Sequence, residues 1–79
     1  MKKTYTELCA DIMANVPNEG NICYDPETAL YETTDAMDRL YDMQVRAKAD
    51  WHKQCIQTHI NECARIMAIA EMEIEYRLQ

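Results

Sequence analysis

The sequence predicts a small all-α protein, a short N-terminal helix followed by a long antiparallel helical hairpin, as one helical domain over residues 1–79. Three observations predict it. Apolar residues recur at three- and four-residue steps along most of the 79 residues. The chain has one glycine, Gly20, and two prolines, Pro17 and Pro26, so every strong helix breaker lies in its first third. Side chains suited to helix N-caps stand at the head of each periodic run.

The first helix opens at Thr4, which has capping-box spacing to Glu7. Tyr5, Leu8, Cys9, Ile12, Met13 and Val16 then share one face, while Glu7, Asp11 and Asn15 fall on the wet side. Pro17 and the Asn18-Glu19-Gly20-Asn21 cluster end it. Ile22-Cys23-Tyr24 reads as a short apolar stretch inside a loop, tucked against the core. Asp25-Pro26 starts the second helix, with Asp25 as N-cap, Pro26 at the first helical position and Glu27 in the first turn.

One helix from Pro26 to Gln79 would be about 80 Å long. The phase of the apolar rows favours two. Leu30, Met37, Tyr41 and Val45 form one seam. Ile56, Ile60, Cys63, Met67, Ala70, Ile74 and Leu78 form another, and the first extrapolates onto polar residues rather than onto the second. The break is expected near Ala47-Lys48-Ala49-Asp50, with Asp50 as the next N-cap. A break at Thr33-Thr34-Asp35 is a weaker alternative. Glu71 to Tyr76 alternates with a strand-like period of two, but four helical turns run into it without a breaker, so it is read as helix.

Both long helices carry a second apolar row: Ala29, Ala36, Leu40, Met43 and Ala47 on one, Trp51, Cys55, Ile66, Ile69 and Tyr76 on the other. Two rows suit a helix with two neighbours. The first helix is only about 20 Å long, against about 33 and 42 Å for its partners. Part of the third helix is therefore left uncovered, and Ile66, Ile69, Met72 and Tyr76 are the candidate residues for self-association as a homodimer.

Composition excludes several functions. A single glycine builds no phosphate-cradling loop, and a chain without serine has no serine nucleophile. The net charge of −6 opposes nucleic acid and anionic membranes as direct partners. No apolar run approaches the length of a membrane span or a signal peptide, so a cytoplasmic location with four free thiols is expected.

The densest set of potential ligands is His52, Cys55, His59 and Cys63. A straight helix presents only two of them to one centre, whereas zinc wants four, so the set reads first as core and core-edge residues and only secondarily as a thiol and imidazole metal sensor. No cofactor is expected. Cys55 and His59 lie four residues apart, but a small bundle offers neither an oxyanion hole nor a cleft, so the protein is read as non-enzymatic. Paired carboxylates such as Asp35 with Asp38 face away from the apolar rows and read as solvated.

Between Glu7 and Asp42 lie nine acids against Arg39 alone. On the second helix Glu27, Asp35, Asp38 and Asp42 share one sector of about 80°, with Tyr31 among them. Such a row is a coarse imitation of a phosphate backbone, whose charges step by about 3.4 Å per strand. The leading expectation is an inhibitor or regulator that docks this row on a basic surface of a larger protein. Small acidic helical proteins among phage and mobile-element inhibitors of host nucleases offer an analogy of size and charge alone. The plainer role for such a row is to keep the chain solvated.

Overall fold

Residues 3–79 are described in a computed structural model. They are 84% helical without a strand. Four helices follow one another: α1 (Tyr5–Met13), α2 (Glu19–Tyr24), α3 (Pro26–Arg46) and α4 (Asp50–Leu78). The last two form the hairpin.

Thr4 caps α1, its side chain accepting from the Glu7 amide. The helix stops at Met13, one turn earlier than the apolar row suggests. Pro17 disfavours helical geometry at Val16. The chain instead tightens into three-residue bonds, Asn15 N–H to Ile12 O at 3.2 Å and Val16 N–H to Met13 O at 3.0 Å.

The segment expected as loop, Ile22-Cys23-Tyr24, is the end of helix α2 instead. Asn18 caps α2 by accepting from the Asn21 amide at 2.9 Å. Only Ile22 faces inward, fully buried, while Cys23 and Tyr24 are exposed. Asp25 ends α2 and begins α3. Its extended φ of −142° breaks the helix, and its carboxylate accepts from the Thr28 amide and hydroxyl at 3.2 and 2.8 Å.

The hairpin turn falls where the phase change put it, at residues 47–49. Asp50 is the first helical residue rather than the cap. Ala49 takes the cap position and offers no side-chain bond. Gln44 ties the turn from outside, its amide donating to Lys53 O at 3.1 Å and to Gln57 Oε1 at 2.9 Å.

The seam of α3 is not the bulky one. Tyr41 and Val45 are exposed, Leu30 and Met37 only half-buried. The buried row is Pro26, Ala29, Thr33, Ala36, Leu40 and Met43, with Ala47 beyond the helix end. Its steps alternate three and four, the spacing that keeps a side of one helix against its neighbour. Against it lie Ile56, Ile60, Cys63, Ile66 and Ala70 of α4. Of the row expected from the sequence, Met67 and Ile74 are only half-buried and Leu78 is exposed, because the 29-residue α4 outlasts the 21-residue α3 across the hairpin. Small residues on α3 let the two backbones approach. Thr33 fits because its hydroxyl donates to Ala29 O at 2.7 Å, so among the described residues no buried side-chain nitrogen or oxygen is left unmatched.

Helix α1 packs over the end of the hairpin nearest the turn. The Tyr5 and His52 rings lie 4.5 Å apart, and the Cys63 thiol meets the Met13 sulfur at 3.8 Å, so α1 runs alongside α4 in the same direction. Cys9 is buried there with Leu40, Met43, Ile56 and Ile60. A second cluster, Ile22 with Ala29, Ile66 and Ala70, closes the far end under α2. No helix of the described residues is long and apolar enough to cross a membrane.

Candidate protein-docking face

The row on α3 stands outside both clusters. Glu27, Tyr31, Asp35, Asp38 and Asp42 are all exposed. They share one side because the opposite side of the same 21-residue helix is consumed by the seam. The structure adds what the sequence count concealed. Asp35 pairs with Arg39 and Asp42 with Arg46, both at 3.2 Å and four residues apart. Glu27 and Asp38 have no cationic partner among the described residues. The row is thus a set of open carboxylates edged on one side by two arginines. Exposed pairs of this kind contribute only about 0.3–0.5 kcal/mol each and leave carboxylate lone pairs for a further donor.

On the α1 side of that edge, Lys3, Tyr5, Leu8, Ile12, Arg39, Asp42, Met43 and Arg46 line a shallow depression. Its cations are matched, Lys3 by Asp11 and the arginines by their own helix. Along the same flank, toward the start of α3, is a larger open groove of about 860 Å³ between α3 and the connection from α1 to α2, with Arg39 shared between the two. Val16, Pro17 and Ala29 contribute its apolar surface. Asn15, Asn18, Asn21 and Tyr24 line it from one direction, Tyr31, Glu32 and Asp35 from the other. This groove and Glu32 were not singled out from the sequence. The asparagines at 15, 18 and 21 are the signal that a polar-lined recess forms there.

The remaining candidates are placed as follows. His52 is half-buried between neighbours, its ring 3.7 Å from that of exposed Trp51 and 4.5 Å from Tyr5. Cys55 and His59 are half-buried, and Cys63 is fully buried with its thiol turned to Met13. Among the described residues no three His, Cys, Asp or Glu side chains converge as a metal site would need. Burial pushes the Cys9 and Cys63 thiols up, the nearby Cys55 adding to the first and Glu62 to the second. Both thiols therefore stay protonated at neutral pH, the opposite of an activated nucleophile.

Of the self-association set, Ile66 is buried beneath the chain's own α2 and Ile69 is half-buried beside it. That corrects the expectation that Ile66 lies on an open face: α2, absent from the sequence reading, covers it. Met72 and Tyr76 are 70% and 75% exposed. Alongside them Arg65 bridges Glu62 at 2.6 Å and Glu19 at 3.1 Å, fastening α2 to α4. Arg77 does the same nearer the C-terminus, bonding Glu73 and the Cys23 carbonyl.

Compared with known proteins, the chain matches no family model, no curated protein and no solved structure.

Proposed function

We propose that the chain is a non-enzymatic binding protein that docks the acidic side of α3 on a basic surface of a larger protein, acting as its inhibitor or regulator. One observation carries the reading. Glu27, Asp35, Asp38 and Asp42 are all exposed on a helix whose other side is fully occupied by the core, so none of them is needed for packing. Successive carboxylates at 35, 38 and 42 rise by about 4.5 and 6 Å, a coarse match to the phosphate step of about 3.4 Å and a row that a cationic channel would attract. Fixed charge on a rigid helix speeds encounter more than it deepens affinity.

The test is a titration of the basic protein recovered from the native host with wild type and with the triple variant Asp35→Asn, Asp38→Asn, Asp42→Asn, at low and high salt. The variant is expected to keep its helicity, each substitution costing within about 0.5 kcal/mol. It should associate more slowly and show a shallower salt dependence. Equal affinities and equal salt slopes would remove the docking role of α3.

Self-association through Met72 and Tyr76 is the second reading, favoured by their exposure one turn apart on α4. An apolar seam holds or strengthens as salt rises, so the same salt series separates the two.

A further inference from the structure

We infer that the groove between α3 and the α1–α2 connection seats an extended, arginine-bearing segment of the docked partner, an inference that rests on the docking reading above. Charge selects the class of occupant. Asp25, Glu32 and Asp35 line the groove against one cation, Arg39, which is already paired with Asp35. Asp25 is engaged by Thr28, so Glu32 is the carboxylate with no partner among the described residues. An anionic ligand is repelled here and a cationic one drawn in.

The aromatic residues refine the class. Tyr24 and Tyr31 line the same groove at 87% and 76% exposure, and neither ring stacks on another among the described residues. A guanidinium plane lies on such a ring and also forks onto a carboxylate, which a lysine ammonium does only as a point charge. The asparagines argue for an extended backbone. A carboxamide presents a donor and an acceptor side by side, the complement of a peptide unit. Asn15 and Asn21 line the groove with no side-chain hydrogen bond among the described residues, whereas Asn18 already caps α2. A helical ligand satisfies its own amides and has no use for them, while an extended segment leaves them free.

The experiment titrates ¹⁵N-labelled protein with three blocked pentapeptides alternating alanine with arginine, lysine or glutamate. The arginine peptide is expected to shift the amides of Asn15, Asn21, Tyr31 and Glu32 and to bind about two- to five-fold more tightly than the lysine peptide. The glutamate peptide should not bind. Tyr31→Leu and Glu32→Gln, both at exposed positions, should each weaken the arginine peptide about two- to five-fold with unchanged circular dichroism. Shifts confined to Glu27, Asp38 and Asp42, equal affinity for arginine and lysine, or indifference to both substitutions would each overturn the groove. A partner that needs the three aspartates while the peptide ignores the groove overturns this inference alone. A partner indifferent to the aspartates, with the peptide seated in the groove, overturns the docking reading alone.

Discussion

Thr33 and the four thiols show how burial changes what a side chain does. Thr33 sits in the seam of α3 at no measurable exposure because its hydroxyl folds back on the carbonyl one turn earlier. The thiols divide by depth. Cys23 is exposed, Cys55 half-buried, Cys9 and Cys63 buried. A thiol reagent at mildly alkaline pH should therefore modify Cys23 first and Cys55 next. Cys9 and Cys63 should react only when the chain opens, and four equal rates would contradict the packing of α1 on the hairpin. The raised values at Cys9 and Cys63 also set an alkaline limit. Their contribution to stability is fully present below the unfolded thiol value and is lost as pH rises through the higher folded one. At the acid end the sign reverses. The Thr28 hydroxyl and amide hold the Asp25 carboxyl below its usual value, and Arg65 does the same for Glu62. Both contributions are present above the ordinary carboxylate range and are lost as pH falls through the lowered folded values. Chemical denaturation across pH should thus show stability falling at both ends.

Caps, more than breakers, define the elements. Thr4, Asn18 and Asp25 each bind the amide three residues on, which starts α1, α2 and α3 at defined positions. The caps at Thr4 and Asp25 were legible because each pairs a capping side chain with a second signal, Glu7 or Pro26. Asn18 carries no such second signal, and the glycine two residues on reads as loop. Gly20 itself has no positive φ and an added Cβ there meets only ordinary contact, so nothing in the backbone demands the glycine. The start of α4 is different, since Ala49 at its cap makes no side-chain bond. Ala49→Ser should supply one and raise stability by about 1 kcal/mol, read as a higher denaturant midpoint at unchanged slope. No gain would mean that solvent already satisfies the first amides of α4. On α3 the bulkier row of Leu30, Met37, Tyr41 and Val45 outranks the second row of Ala29, Ala36, Leu40, Met43 and Ala47 in hydrophobicity, yet the second row is the buried one. Between two closely packed helices, small size decides which row turns inward.

At the scale of the molecule, the hairpin, and not a rod, sets the dimensions. The Cα framework measures 46 × 22 × 15 Å with a radius of gyration of 13.7 Å. Small-angle scattering should give a maximum dimension slightly beyond the 46 Å axis. A value near 80 Å, the length of one unbroken helix over residues 26–79, would refute the turn at 47–49. The sequence by itself determined the helical class, the caps of α1 and α3, the place of the turn, the part of the α4 core row from Ile56 to Cys63 and the acidic row of α3. Each of these follows from local chemistry or from periodicity within one helix, which neighbouring residues along the chain are enough to specify. The tertiary structure alone decided which row of α3 is buried, that α2 exists and covers Ile66, and that a groove opens beside the acidic row. Those depend on residues far apart in sequence meeting in space, such as Ile22 with Ile66 or Cys23 with Arg77, and on how closely two helices approach.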